Sequence, residues 1–156
     1  MNLKFEATLY RTRLLLGLTD GATVIAWADE RLLRLATPPS ALLEVSLTPA
    51  SDLGALRLAL LPLAGEPEDP AAVTVVLQEV AIDLVAGRRR AADTVSVLRQ
   101  MRRMLALPLA LDADLDSLID TLMLAEVGIG ASVADAEHAV LAWARGQAAQ
   151  AERAAG

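Results

Sequence analysis

Apolar residues recur at three- and four-residue steps along most of the chain, the spacing of one face of an α-helix. Leu3, Ala7, Tyr10 and Leu14 form the first stripe and predict a helix over residues 3–16. Gly17 follows, and glycine suits the left-handed position just past a helix end. Thr19 or Asp20 then caps a second helix from about 21 to 35, with Val24, Trp27, Ala28 and Leu32 facing inward. Thr37 and Thr48 each stand before a proline, the pattern of a hydroxyl cap with proline in the first turn. They place a short helix near 39–46 and a longer one near 50–61, closed by Pro62 and Gly65. After the loop-like GEPEDP, Asp69–Pro70 restarts the chain in the same way.

The fifth segment, AAVTVVLQEVAIDLV, is rich in β-branched residues and imitates a strand. Its length and the steps Val73, Val76/Leu77, Val80 and Leu84 favour a helix over about 70–86, ended by Gly87. A sixth helix over about 90–106 turns Val95, Leu98, Met101 and Leu105 inward and stops before Pro108. A seventh spans about 113–127 and ends at Gly128 and Gly130. The eighth, capped by Ser132, passes through Trp143 and frays in the alanine-rich tail from about 147. No strand alternation is long enough to build a sheet. The expected fold is therefore all-α, a compact multi-helix bundle or stack of helical hairpins with about eight helices, forming one domain over 1–156. The echo between VIAWAD in helix two and VLAWAR in helix eight is too short for a duplication, and shared packing demands account for it. Both tryptophans read as core anchors.

Composition narrows what fills that core. Apolar residues make up 54% of the chain and aromatics only 3%, so Leu, Ala and Val must pack it. Lys4 is the single lysine against thirteen arginines, and Asn2 the single asparagine. This is the signature of a high-GC, bacterial-type genome, so arginine abundance alone does not argue for phosphate recognition. The net charge of -6 argues against a general nucleic-acid binder. The absence of cysteine excludes disulfides, thiolate metal sites and a cysteine nucleophile, and fits the reducing cytoplasm expected for this chain. MNLKFEATLY has no apolar signal-peptide core, and no uncharged apolar run approaches ~18 residues, so neither secretion nor a membrane span is expected.

Candidate chemistry lies in four places. In LDADLDSLIDTLM, Asp112, Asp114, Asp116 and Asp120 fall at positions 1, 3, 5 and 9 of a twelve-residue calcium loop. That loop needs glycine at position 6 and a bidentate glutamate at position 12. Here these are Ser117 and Met123. The stripe Leu115, Leu118, Ile119, Leu122 and Met123 instead marks the acidic start of a helix, where carboxylates favour the positive end of the dipole. The segment GRRRAADTVSVLRQMRRM carries Arg88, Arg89, Arg90, Arg99, Arg102 and Arg103, a surface for an acidic partner or for the acidic helices beside it. No aromatic interleaves these arginines, so single-strand stacking is not supported. His138 is the single histidine and lacks a nucleophile elbow or further metal ligands. VGIGAS lacks the lysine of a phosphate loop. No catalytic residue, metal ligand or cofactor site is expected.

LLLGLTDGATVIAWADERL, Leu14 to Leu32, resembles the opening helix–turn–helix of small all-helical bacterial proteins, some of them immunity proteins of toxin–immunity systems. GRRRAADTVSVLRQM resembles a later helix of the same kind of protein. The resemblance covers about a quarter of the chain and implies an all-helical fold that occludes a toxin's active site. The leading functional expectation is a non-enzymatic protein-interaction domain, with a basic toxin as the partner an acidic protein suits. The interaction surface would draw on Arg88, Arg89, Arg90, Arg99, Arg102, Arg103, Asp112, Asp114 and Asp116. A small-ligand or sensory helical domain is one alternative. A helical enzyme using carboxylates such as Glu79, Asp83 or Glu126 is another. The apolar surplus is also compatible with a homodimer.

Overall fold

The computed structural model describes residues 2–64, 69–105, 107 and 109–155, apart from the side chains of 152, 154 and 155. The described residues fold into eight helices: α1 Leu3–Leu15, α2 Gly21–Arg34, α3 Ser40–Leu47, α4 Leu53–Leu60, α5 Pro70–Val85, α6 Ala91–Met104, α7 Leu109–Glu126 and α8 Val133–Ala155. No strand occurs among the described residues, so the fold is all-α. The helices group into two compact units, Met1–Val73 and Thr74–Gly156.

In the first unit α2 packs on α3, α3 on α4 and α4 on α1. Its core is the cluster Ala7, Leu14, Val24, Trp27, Ala28, Leu42, Val45, Leu56, Leu60 and Leu63. Tyr10 stacks obliquely on Trp27 with ring centroids 4.9 Å apart. Gly21 explains how closely this unit is drawn together. A Cβ built there would lie 2.1 Å from the Ala50 carbonyl oxygen and 2.8 Å from Leu56 Cδ1. Only a residue without a side chain lets the start of α2 meet the α3–α4 connection.

In the second unit α6 packs on α7 and α8, and α7 packs on α8. Val76, Val80, Val95, Leu98, Met101, Leu115, Ile119, Leu122 and Val140 are buried. With Leu105, also buried, these include the inward positions expected for helices six and seven, with two exceptions: Leu118 is half-buried and Met123 is exposed.

Three helix ends share one device. Gly17, Gly87 and Gly128 all have positive φ, which glycine adopts without a Cβ penalty. After each, the next residue donates its N–H to the carbonyl five residues back: Leu18 to Arg13, Arg88 to Asp83 and Ile129 to Leu124, each at 2.8 Å. Each glycine N–H reaches the carbonyl three back. This is the Schellman closure, which satisfies carbonyls that the helix leaves without partners.

The Thr–Pro start signals are corrected. Pro49 pushes Thr48 into extended backbone, as proline does to the residue before it. Thr48 therefore ends α3, its hydroxyl donating to the Glu44 carbonyl at 2.7 Å. Asp52 caps α4 by accepting the Ala55 N–H at 2.9 Å. Thr37 likewise caps nothing: Pro39 occupies the N-cap of α3, with no side-chain hydrogen bond. Helix seven starts at Leu109 rather than near 113. The eighth helix runs through the alanine-rich tail to Ala155. Gly65 and Pro108, read from sequence as helix boundaries, lie outside the described residues.

Candidate functional site

The aspartates of LDADLDSLIDTLM stand on the continuous helix α7, not on a loop. Helical spacing puts Asp112, Asp116 and Asp120 along one face and Asp114 on another, so the four carboxylates do not converge. Arg102 on α6 accounts for two of them. Its Nε donates to Asp112 Oδ1 at 2.7 Å and its Nη2 to Asp112 Oδ2 at 3.1 Å, a two-pronged pair, while Nη1 donates to Asp116. The hydrogen bonds from Arg102 hold the Asp112 carboxyl below the usual aspartate range, against a smaller opposing effect of desolvation. The same pairing, with the Asp112 bond foremost, raises the Arg102 guanidinium above its ordinary value. Among the described residues no group of three or more His, Asp or Glu side chains is placed to hold a metal ion.

The remaining arginines of the basic segment are dispersed. Arg88 reverses onto Asp83, with both Nε and Nη2 2.8 Å from Oδ1. Arg89 is half-buried, and its Nε has no hydrogen-bond partner among the described residues. Arg90 occupies the N-cap of α6 and makes no capping bond. Arg99 and Arg103, one turn apart, lie on the exposed face of α6, and Asp114 is exposed on α7. The sequence-derived set thus divides into an internal clamp (Arg102, Asp112, Asp116), a turn closure (Arg88) and separate solvent-facing charges. Asp83 is engaged by Arg88. His138 is exposed on α8, its Nδ1 3.0 Å from the Ala134 carbonyl.

Two features were not read from the sequence. The first is a buried charge cluster in the first unit. Glu6 is only 6% exposed. Its Oε2 accepts the Trp27 indole N–H at 2.9 Å, and its Oε1 accepts from Arg31 Nη2 at 2.8 Å. Trp27 and Arg31 are one turn apart on α2, which aims both donors at the same carboxylate. Leu3, Glu6, Arg31 and Leu35 line a small cavity of about 70 Å3 beside them.

The second is the tip of the α7–α8 hairpin. Met123, Leu124, Val127, Ile129 and Val133 are all exposed, Val127 by 69% and Ile129 by 58%. The Schellman turn at Gly128 fixes the connection, and Ser132 caps α8 by accepting the Asp135 N–H at 3.1 Å while donating to Asp135 Oδ2. Val127 and Ile129 are therefore presented on an ordered turn, flanked by Met123 and Leu124 at the end of α7 and Val133 at the start of α8. Between Leu109 and Ala142 the acids are Asp112, Asp114, Asp116, Asp120, Glu126, Asp135 and Glu137, and no lysine or arginine occurs. The sequence signal was present in VGIGAS: an Ile between glycines, where a connection ordinarily carries polar residues.

No family model matches the chain, and no curated protein or solved structure is similar to it. Among the described residues no helix is long and apolar enough to cross a membrane.

Proposed function

We propose that this chain is a protein-interaction domain that docks a partner through the α7–α8 hairpin tip. The observation that carries the reading is the set of five exposed large apolar side chains at the hairpin end: Met123 and Leu124 on the last turn of α7, Val127 and Ile129 on the connection, and Val133 at the start of α8. A contiguous apolar patch is unfavourable in water, and a partner surface that covers it recovers about 25 cal/mol per Å2 of apolar area. The surrounding carboxylates select the partner's charge. Asp112 and Asp116 are held by Arg102, but Asp120, Glu126 and Glu137 are exposed beside the apolar side chains. A partner with a basic rim around an apolar centre is complementary in both respects. A basic toxin, neutralised in the manner of an immunity protein, fits that description and agrees with the net charge of -6.

The test is to recover the partner from the native host with the tagged chain, purify it and measure its affinity by calorimetry. The double variant Val127→Asp/Ile129→Asp should lose binding by at least about a hundredfold while its circular dichroism and melting curve stay as in the wild type. A partner that binds the double variant as tightly as the wild type would refute the assignment of the tip. A partner with an acidic rather than a basic surface would refute the charge argument.

A further inference from the structure

The first unit contains a groove that the interaction reading does not use. It lies between α1 and α4, has a volume of about 400 Å3, and is lined by Arg11, Leu15, Gly54, Arg57, Leu58 and Leu61. That volume falls within the range of small-molecule sites, about 300–1,000 Å3. Its chemistry is mixed in a specific way. Three leucines give it an apolar floor, and Leu58 and Leu61 are exposed to solvent within it. Two arginines, one from each helix, line the same opening. Arg57 donates Nε to the Leu53 carbonyl at 3.3 Å, which lays the side chain along α4. Neither Arg11 nor Arg57 forms an ion pair with a carboxylate among the described residues.

Among the described residues four arginines are held by carboxylates, Arg31 by Glu6, Arg34 by Glu30, Arg88 by Asp83 and Arg102 by Asp112 with Asp116, whereas Arg11 and Arg57 are not and both line the same groove. Asp52, the acid next to the groove, accepts the Ala55 N–H as the cap of α4. Two like charges lining one opening repel each other, and an anion between them removes that repulsion. Gly54 leaves the wall open: a Cβ added there meets only Asp52 Oδ1, at 3.4 Å.

We propose that this groove binds a small amphiphilic monocarboxylate, a medium-length acyl chain with an anionic head. The carboxylate sits between the Arg11 and Arg57 guanidinium groups, whose planar forks suit it. The acyl chain lies on Leu15, Leu58 and Leu61. Head and tail are both required, because neither an isolated surface charge pair nor a shallow apolar strip binds strongly alone.

The experiment is calorimetric titration of the full chain with decanoate, kept below its micelle concentration. Decanol serves as the neutral-headed probe and acetate as the tail-less one. Decanoate should bind with a dissociation constant below about a millimolar, and decanol and acetate at least about tenfold more weakly. Arg11→Ala/Arg57→Ala should weaken decanoate by a similar factor. Gly54→Phe should abolish binding by filling the groove, with an unchanged melting curve. Equal affinity for decanol and decanoate would overturn the proposal. So would wild-type affinity in Gly54→Phe, or no heat with decanoate at all. These outcomes are independent of the α7–α8 tip, since Val127→Asp/Ile129→Asp should leave decanoate binding unchanged.

Discussion

Arg31 in the first unit and Arg102 in the second perform the same chemistry at different depths. Arg31 reaches a carboxylate that is almost entirely buried and is shared with an indole N–H. Arg102 bridges two carboxylates that solvent also reaches. Glu6 has given up water, so its protein donors must replace the whole of its hydration. Asp112 and Asp116 keep water as an alternative partner, and losing Arg102 leaves them solvated. A second contrast lies at the starts of α2 and α6. Both are 14-residue helices that follow a glycine turn of the same form, Gly17 before Gly21 and Gly87 before Ala91. Gly21 is pressed against the Ala50 backbone, whereas Ala91 is half-buried and accommodates its methyl group. The same local device therefore sits in a tighter environment in the first unit.

The sharpest way to break this contrast is to exchange the two residues. Gly21→Ala should destabilise the protein by about 3 kcal/mol or more, because the added atom meets backbone that cannot step aside. Ala91→Gly should lose only about 0.5–1 kcal/mol, the helix-propensity difference. Urea denaturation of both variants measures it, and comparable losses would show that the close approach at Gly21 is not the constraint.

Next in size is the exchange of the two arginines. Arg31→Met should destabilise by about 3 kcal/mol by leaving Glu6 buried without its cation, a value held to the low end because Arg31 is itself 30% exposed. Arg102→Met should cause a much smaller fall in melting temperature, and the difference from wild type should shrink in high salt. A loss that persists in salt would mean the clamp is more shielded than its exposure suggests.

Two substitutions should improve the second unit. Arg90→Asp would give α6 the side-chain cap that Asp20 gives α2, raising stability by about 1 kcal/mol. Thr94 is fully buried, and its hydroxyl has no hydrogen-bond partner among the described residues, unlike Thr12, which bonds the Thr8 carbonyl. Thr94→Val should therefore stabilise by about 1 kcal/mol. A loss in either variant, read from the urea midpoint, would place an unrecognised contact at that position.

The smallest effect is acid-side. Asp112 is lowered by Arg102, and Asp20 by the hydrogen bond from the Thr23 backbone N–H. A carboxyl depressed in the folded state contributes stability above its unfolded pKa, and that contribution is lost as pH falls through the lower folded value. The urea midpoint should accordingly fall as pH drops below the ordinary aspartate value, and the slope should be shallower in Arg102→Met. An unchanged slope in that variant would show that the Arg102 pairing does not set the Asp112 titration.

The helical class, the inward stripes of α1, α2, α5 and α6, and the glycine stops at 17, 87 and 128 were legible in the sequence. Each rests on local rules: helical periodicity and the conformational freedom of glycine. The pairing of acidic α7 with basic α6 was legible as a class of interaction, but the choice of Arg102 over Arg99 and Arg103 was not. That choice follows from which side of α6 faces α7. The same holds for Met123, which continues the apolar stripe of α7 in sequence but stands exposed where the hairpin ends. Periodicity reports a side chain's direction around its own helix, not whether a neighbour is present on that side. Glu6, Gly21 and the Arg11–Arg57 groove depend wholly on such neighbours, supplied by α2, by the α3–α4 connection and by α4. The sequence by itself determined the helices and their inward faces. Only the tertiary structure decided which charges are buried, which are paired, and which apolar side chains remain for a partner.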